Sequence, residues 1–301
     1  MEIKTDLPSN GKVGAAKVSV FSNTVLVLTK LVVGVFTGSV SVVAEAAHSA
    51  VDLLAALIAY YAVSTSDKSP DRSHAYGHGK IENISGAVEA VLIIVAALWI
   101  VFEASQKLSA HELAKDLEFG IAIMAISIVV NYYVSRRLFK VAKATQSHAL
   151  EADALHLQAD IWTSFGVLAG LVAIKVTGIY WLDPVIAIAV ALIIFKAGYG
   201  MTKKSIRELT DIALPDEEIA MIEKILENHP IIKGYHRLRT RRSGSKRLID
   251  VHIILEPDLH LDQAHAVCSE IETQLKSLFS PCDVLIHEEP FMLLGTQNIE
   301  K

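Results

Sequence analysis

Two apolar segments of this sequence carry the same pair of ionisable residues at the same spacing. His48 and Asp52 are four residues apart in one segment, and His156 and Asp160 are four residues apart in the other. In an α-helix this spacing places both side chains on one face, about one turn apart. Two imidazole nitrogens and two carboxylate oxygens form a donor set that suits tetrahedral zinc and also admits cobalt, cadmium or iron(II).

Each pair taken alone has a second explanation. A neutral histidine beside an aspartate can satisfy its own hydrogen bonds and tie two helices together. Ionisable groups at membrane depth are costly, however, and they usually mark an ion path. Because the pair occurs in two different apolar segments, the sequence favours a shared metal site. Protons compete with metal for these ligands, so exchange of metal for protons is a natural hypothesis.

A short polar loop between the second and third apolar segments carries further residues of ligand type. Asp71, His74 and His78 have spacings that allow them to converge on one ion, and Gly77 lets the loop turn sharply. A merely solvated loop is the alternative. The spacing favours a second metal site.

Membrane helices are needed to position these residues. A bilayer core about 30 Å thick requires roughly 20 mostly apolar residues in a helix. The chain has 301 residues, 52% of them hydrophobic, and a mean hydropathy of +0.40. Six segments qualify as predicted spans, at 13–36, 40–63, 84–104, 117–139, 150–176 and 181–201.

Basic residues predict the orientation of these spans. One set of helix flanks is poor in them and holds Lys107, Lys115 and Lys175. The opposite flanks hold Lys4, Lys12, Lys17, Lys68, Arg72, Lys80, Arg136, Arg137, Lys140, Lys143, Lys203, Lys204 and Arg207. Both termini are therefore expected in the cytoplasm, in agreement with an even number of spans.

After Arg207 the sequence changes to alternating polar and apolar residues. An amphipathic helix is predicted from Leu214 to about His229, strands at 235–240 and 247–255, a second helix at 261–279 and a third strand at 283–287. The order α, β, β, α, β indicates a small open α+β domain. The predicted domains are a tail at 1–12, a six-helix membrane domain at 13–207, a cytoplasmic domain at 208–292 and a tail at 293–301.

The predicted cytoplasmic domain carries several histidines on separate elements. They are His236, His252, His265 and His287, with Glu289 just beyond the last. Scattered surface histidines are common, so spacing alone leaves a metal site and a solvated surface both open. Alternation along the second strand places His252 on the face opposite Val251.

Other functions fit the sequence less well. A net charge of −5 and a pI near 6.2 give no basic field that would attract nucleic acid. An intramembrane metalloprotease would need a motif such as HExxH, which the sequence lacks. A membrane-anchored metal sensor that does not transport remains an alternative, although it would not need ligands inside the bilayer. Lys30 and Glu89 are ionisable residues of predicted spans, and we place them outside the metal site.

Taken together, the motifs resemble the cation diffusion facilitator family over nearly the whole chain. The resemblance is carried by GSVSVVAEAAHSAVD and HLQADIWTS in the membrane segments and by HAYGHGKIE in the loop between the second and third segments. It continues after the membrane segments with LTDIALPDEE, YHRLRTR, VHIIL, QAHAV and VLIHEEP. It implies an α-helical membrane bundle of six transmembrane helices followed by a cytoplasmic, metallochaperone-like α+β domain of αββαβ order. It also implies a secondary active transporter rather than an enzyme, a homodimer of the bacterial inner membrane that exports zinc or iron in exchange for protons.

The resemblance also implies roles for individual residues. His48, Asp52, His156 and Asp160 match the transport site, Asp71, His74 and His78 match the loop site, and Lys80 and Asp211 match a charge interlock. His236, His252, His265, His287 and Glu289 match a two-metal cytoplasmic site at the dimer interface, where close relatives often carry Asp at the position of Glu289. Iron-transporting and broad-range members carry Asp at the position of His48. An imidazole there favours Zn²⁺ over Fe²⁺ and Mn²⁺, with Cd²⁺ and Co²⁺ as further candidates.

Overall fold

The computed structural model describes the backbone of residues 10–37, 40–109, 117–177 and 181–291. Within these ranges it places all side chains except those at positions 10, 34, 37, 40–45, 47, 107–109, 117–124, 167, 170–175 and 183. The predicted tails at 1–12 and 293–301 lie outside the described residues, apart from 10–12. The chain divides between Ile206 and Arg207 into two compact units.

Six long α-helices build the first unit. They are α1 (Asn10–Thr37), α2 (Val40–Ser66), α3 (Lys80–Ser109), α4 (Leu117–Thr145), α5 (His148–Thr177) and α6 (Leu182–Leu209), the last of which continues past the unit boundary. The order of the six predicted segments agrees with the helices. Most of the helices are longer than the apolar segments, because polar turns continue the backbone hydrogen bonding at their ends.

Four of these helices contain a stretch long and apolar enough to cross a membrane within the described residues. The stretches are Gly11–Val33, His48–Ser66, Lys80–Gln106 and Pro184–Leu209. The helices α4 and α5 have 29 and 30 residues, which is also sufficient length. Large apolar side chains such as Trp99 and Phe165 are 64% and 58% exposed on the bundle surface, as expected where lipid replaces water.

Small side chains let these helices approach one another closely. Ala15 of α1, Ala62 of α2 and Ala154 of α5 are 0 to 1% exposed and belong to one buried cluster that also includes α4. At Gly166 of α5 an added β-carbon would lie 2.9 Å from Val190 Cγ2 of α6. Close contact between small residues is the usual basis of helix association in membranes. Helix α5 contacts α1, α2, α3 and α4, so it occupies a central position among them.

The second unit is a three-stranded sheet with two helices. Its elements are α7 (Asp216–Glu227), β1 (Gly234–Ser243), β2 (Lys246–Leu255), α8 (Leu261–Leu278) and β3 (Cys282–Pro290). The sheet order is β1-β2-β3, with β1 antiparallel and β3 parallel to β2. Helix α8 is the crossover that a parallel pair requires. The predicted αββαβ order is confirmed.

Alternation along the central strand β2 decides which face of the sheet is covered. Ile249, Val251 and Ile253 are 0 to 1% exposed and share a core with the apolar faces of α7 and α8. Asp250 and His252 alternate with them and therefore point to the other face. The helices thus leave the histidine-bearing face of the sheet available for polar chemistry.

An ion-pair cluster fixes the start of α7 against the sheet. Glu218 accepts hydrogen bonds from Arg242 and from Arg247, whose Nε lies 2.6 Å from Glu218 Oε2. All three side chains are 14 to 15% exposed. Desolvation opposes ionisation, but the hydrogen bond from Arg247 and the charges of both arginines outweigh it and lower the pKa of Glu218.

Glu218→Ala should destabilise the sheet unit by about 1.5–3 kcal/mol, since it removes a charged acceptor that two partly buried guanidinium groups share. Hydrogen–deuterium exchange on the full chain measures this as faster exchange of the α7 and β2 amides. The folded pKa of Glu218 lies below the unfolded value. The stabilisation that its carboxylate gives the folded sheet unit is therefore present above the unfolded pKa and is lost as pH falls through the folded pKa. The exposed neighbour Glu217→Ala is the matched control, and equal exchange in both variants would contradict the prediction.

Candidate metal sites

The first candidate site lies between α2 and α5. His156 Nε2 is 3.3 Å from Asp52 Oδ1, and His48 Nε2 is 3.9 Å from Asp160 Oδ1. Each histidine therefore faces the aspartate of the other helix. These crossed contacts fit a shared metal site, and they also fit the alternative in which a histidine–aspartate hydrogen bond ties α2 to α5. Ligand atoms of His48, Asp52 and Asp160 lie within 4.8 Å of one another, so the structure brings the predicted quartet together.

The quartet is buried on one side and open on the other. The side chains of Asp52 and His156 are 7% and 6% exposed, that of Asp160 is 15% exposed, and that of His48 is 49% exposed. Asp160 Oδ2 and His156 Nδ1 have no hydrogen-bond partner among the described residues. Buried polar atoms are normally paired, so two buried polar atoms without a hydrogen bond are consistent with a site that binds a cation.

A buried lysine of α1 contacts α2 at the residue that follows His48. Lys30 Nζ donates to Ser49 Oγ at 2.8 Å, and the two residues are 5% and 3% exposed. Ser49 directly follows His48 in α2. From the sequence Lys30 was placed outside the site. The sequence shows Lys30 as a lone ionisable residue in an apolar segment, and such a residue does not by itself identify its partner.

The second candidate site is the loop between α2 and α3. His74 Nδ1 lies 3.4 Å from Asp71 Oδ1, and His78 Nε2 lies 3.3 Å from Asp71 Oδ2. A carboxylate turn and a glycine shape the loop: Asp71 Oδ1 accepts from the amides of Ser73 and His74, and Gly77 has a φ of +85°. The amide hydrogen bond from His74 is the main cause of the lowered pKa of Asp71, which favours the ionised form that a metal needs.

A buried network holds both ends of this loop. Lys12 Nζ lies 3.0 Å from Asp67 Oδ1, where the loop begins, and 3.3 Å from Glu82 Oε1, in the first turn of α3. Glu82 is 0% exposed and also accepts from Ser66 and from Ser147, just before α5. This network has no signature in the sequence, because its members are far apart in the chain.

The third candidate site is a row of histidines across the sheet. His236 of β1, His252 of β2 and His287 of β3 are direct cross-strand partners. The rings of His252 and His287 have centroids 4.6 Å apart, and those of His236 and His252 are 5.1 Å apart. A bulge in β1 directly follows His236, where Arg237 has a φ of +51°.

Glu289 connects the members of this row. Its Oε1 lies 2.8 Å from His252 Nδ1, and its Oε2 lies 3.1 Å from His236 Nε2. The contact with His252 is the largest cause of the lowered pKa of Glu289. His236, His252 and Glu289 form a group whose ligand atoms are within 4.8 Å of one another. His287 Nε2 is 3.7 Å from Glu289 Oε1, and its side chain is 62% exposed.

Three further predicted site positions, His265, Asp211 and Lys80, do not belong to the metal-ligand groups of the described residues. His265 is exposed on α8 and is not part of the His236, His252 and Glu289 group. Asp211 Oδ1 accepts from Arg241 Nη1 at 3.2 Å within the second unit, whereas Lys80 begins α3 in the first unit. The pairing of Lys80 with Asp211 stays a prediction.

Comparison with known families accounts for almost the whole chain. The model of the cation efflux transmembrane domain matches residues 16–210, and that of the cation efflux protein cytoplasmic domain matches residues 214–291. The chain belongs to the cation efflux family. The predicted resemblance to cation diffusion facilitators is thereby confirmed, as is the fold class of a membrane helix bundle followed by a small α+β domain.

Individual relatives match most of the chain. The cation-efflux pump FieF of Serratia proteamaculans is 33% identical over 266 residues, which is 88% of each chain. An uncharacterized transporter of Synechocystis is 33% identical over 84% of this chain and 82% of its own length. Among solved structures, the metal-bound C-terminal domain of the CzcD transporter from Thermotoga maritima is 29% identical over 25% of this chain and 87% of that chain, with a TM-score of 0.24.

Family membership makes the protein a membrane transporter for cations rather than an enzyme. Two further acids of the cation efflux bundle are fully buried outside the quartet, and the sequence pointed to Glu89 but not to Asp153. Glu89 of α3 and Asp153 of α5 are both 0% exposed, and Glu89 Oε1 accepts from Ser85 at 3.0 Å. Asp153 lies one turn before His156 in the same helix, so a search for acids at helical spacing from His156 would have found it.

Glu289→Ala should weaken zinc binding at the histidine row of this cation efflux protein by at least about 10-fold. Disturbing even the surroundings of a metal ligand commonly costs 10- to 100-fold in affinity, and Glu289 contacts two of the histidines directly. Calorimetric zinc titration of the full-length chain measures the change. Glu288→Ala, which alters the adjacent exposed acid of β3, is the matched control. Equal zinc affinities in the two variants would remove Glu289 from the site.

Proposed function

We propose that this protein exports zinc from the cytoplasm in exchange for protons, with His48, Asp52, His156 and Asp160 as the transport site. The observation that carries the proposal is the contact of each histidine with the aspartate of the other helix. Two helices thereby supply one four-ligand site at a position where ionisable groups are costly to keep. Family membership establishes cation efflux, and the donor set supports zinc as the cargo.

The balance of donors favours zinc over harder ions. Two imidazole nitrogens and two carboxylate oxygens match the tetrahedral preference of Zn²⁺, whereas Mn²⁺ prefers a site richer in oxygen. Fe²⁺, Cd²⁺ and Co²⁺ accept mixed nitrogen and oxygen sites and are the competing cargoes. His48 is the residue at which this balance is set, because a carboxylate there would give three oxygen donors and one nitrogen donor.

Protons are the counter-ion that the ligand chemistry supports. An imidazolium must lose its added proton before the ring nitrogen can bind metal, and a carboxylate binds best when ionised, so metal and protons exclude each other at the same atoms. Loading with zinc therefore releases protons, and protonation releases zinc. Alternating exposure of the quartet to the two sides of the membrane would turn this competition into exchange.

The remaining features fit a regulated homodimer of the bacterial inner membrane with both termini in the cytoplasm. The proposed domains are a transport domain at 13–207 and a metal-sensing domain at 208–292. The histidine row and Glu289 would bind regulatory zinc, with His265 and His287 available to a second chain because both are exposed. Zinc binding there would draw two such domains together and bias the transport equilibrium. The loop site and the Lys80–Asp211 interlock belong to this proposal as further points of control.

Vesicles that contain the purified protein should accumulate zinc when a pH gradient is imposed, with protons moving in the opposite direction. Asp160→Asn should lower the zinc flux by about 10- to 100-fold, since it removes a charged ligand from the site. A zinc-sensitive dye and a pH-sensitive dye inside the same vesicles follow both ions.

Glu103→Gln, which neutralises an exposed acid of α3, is the control for the loss of a carboxylate in a membrane helix. Zinc flux without proton counterflow would contradict the exchange for protons but not the transport of zinc. Zinc binding with no flux in the unaltered chain would favour the non-transporting sensor.

His48→Asp should raise the flux of Fe²⁺ or Cd²⁺ relative to Zn²⁺ by about tenfold, because it replaces a nitrogen donor with a harder oxygen donor. Parallel flux measurements with zinc, iron, manganese and cadmium determine the ratios. His74→Asp makes the same chemical change at the loop site and serves as the comparison. Unchanged ratios in the His48 variant would show that another residue sets the selectivity.

A further inference from the structure

The carboxyl group of Glu82 joins the ends of four helices within the described bundle. Glu82 lies in the first turn of α3 and is 0% exposed. Lys12 Nζ of α1 lies 3.3 Å from Glu82 Oε1, and Ser66 Oγ of α2 donates to the same oxygen at 2.7 Å. Ser147 Oγ, directly before α5, donates to Glu82 Oε2. We call these four residues the Glu82 cluster.

Two members of this cluster belong to the helices that carry the quartet. Ser66 is the last residue of α2. Ser147 is tied to the first turn of α5, because its Oγ accepts a hydrogen bond from the amide of Leu150 at 3.5 Å. Glu82 thus connects α2 and α5 through the side chain of a third helix. Any movement that separates α2 from α5 at this end must break a hydrogen bond to Glu82.

The quartet is closed on the side of the Glu82 cluster. Asp52 lies nearer than His48 to the end of α2 at the cluster, and His156 lies nearer than Asp160 to the start of α5. The two nearer side chains are 7% and 6% exposed, whereas those of Asp160 and His48 are 15% and 49% exposed. Exposure therefore increases with distance from the cluster, and the quartet is open on the opposite side.

Apolar packing between α2 and α5 separates the quartet from the Glu82 cluster. Ala62 and Val63 of α2 and Leu150 and Ala154 of α5 belong to one buried group and are 0 to 1% exposed. All four lie between the quartet and the cluster along their helices. A divalent cation finds no ligand among such side chains, so access from this end requires the helices to part. In the proposed orientation this end faces the cytoplasm, the side from which zinc would be exported.

We propose that Glu82 is a positioning residue of the transport cycle and that its contacts with Lys12, Ser66 and Ser147 act as a latch. In the latched state they hold the quartet closed towards the loop between α2 and α3, and their release opens the quartet on that side. The inference rests on the proposed transport function, since only a transported ion needs access from both sides of the membrane.

Burial makes the two end states of this latch more stable than a state between them. In the closed state the carboxylate of Glu82 and the ammonium group of Lys12 satisfy each other, and removal of one partner from a buried ion pair is costly. When the helices part, water enters and hydrates both groups, which limits the cost of opening. An intermediate separation satisfies neither group. The latch therefore favours a closed or an open state over partial opening, as alternating access requires.

A cysteine placed between α3 and α5 measures opening at the latch. Cys268→Ser and Cys282→Ser remove the two thiols of the full-length chain, and Ala152→Cys adds one. Position 152 is 0% exposed and packs in one buried group with Ala90 of α3. In lipid nanodiscs, which leave both membrane faces accessible, Glu82→Gln should raise the rate of labelling by a charged thiol reagent at least about tenfold. A neutral amide holds the neighbouring ammonium group less strongly, so the open state is more populated.

Zinc transport by the same variant separates a latch from a merely structural role. In vesicles Glu82→Gln should lower both KM and kcat for zinc, because the state open towards the loop binds the ion and seldom passes it on. General damage to the fold would instead raise KM or leave it unchanged. Glu103→Gln, the same change at an exposed acid of α3, is the control and should alter neither labelling nor transport.

Serine variants test the links between helices without changing the ion pair. Ser66→Ala combined with Ser147→Ala leaves the charge of Glu82 in place and should raise the labelling rate by a smaller factor than Glu82→Gln does. Ser64→Ala, which removes a hydroxyl that donates to Tyr60 O within α2, is the matched control. Unchanged labelling in the double serine variant would overturn the latch, whether or not Glu82→Gln folds.

Zinc flux in His156→Ala distinguishes failure of the latch from failure of the proposed function. Lost flux in His156→Ala with unchanged labelling in the latch variants would overturn the latch alone. Retained flux in His156→Ala would contradict the proposed transport site, and with it the inference that the latch controls access to the quartet.

Discussion

A carboxylate placed between apolar elements loses its hydration, so it needs hydrogen-bond donors or a basic side chain in its place. Three parts of this chain meet that constraint in the same way. Glu82 of α3 is reached by Lys12 of α1, Asp52 of α2 by His156 of α5, and Glu218 of α7 by arginines of the sheet. In each case the partner comes from a different element. The charges therefore determine which elements must be neighbours, and apolar packing fills the space around them.

Histidines and acidic residues are arranged differently on the helices and on the sheet. In the membrane unit the four candidate ligands come from α2 and α5, and they face one another across a partly closed space. On the sheet the ligands come from adjacent strands, and the fixed register places His236, His252 and His287 in one flat row. A flat row leaves one side of any bound ion uncovered. Such a site suits completion by a second chain, as the proposed homodimer would provide.

Features that depend on local sequence pattern could be predicted, and those that depend on tertiary contacts could not. Hydropathy located the six helices, and alternation located β2 and the direction of His252. The four-residue spacing identified the quartet, since one helical turn fixes which side chains share a face. The crossed pairing of His156 with Asp52 was not available from spacing, because it depends on how α2 and α5 pack. The hydrogen bonds of Glu82 to Ser147 and of Lys30 to Ser49 were missed for the same reason.

The helix pair and the sheet also differ in whether their candidate ligands can move apart. This difference decides which of the two sites can release an ion during transport. Strands β1, β2 and β3 are joined by backbone hydrogen bonds, so the histidines of the row cannot part without breaking the ladder between strands. Helices α2 and α5 each satisfy their own backbone hydrogen bonds, and among the residues that the structure describes they meet through side chains, small alanines among them. A shift of one helix past the other would change the distance from His156 to Asp52 without the loss of a single backbone hydrogen bond. Of the two scaffolds, the helix pair is therefore the one on which ligands can be withdrawn from a cation during a transport cycle.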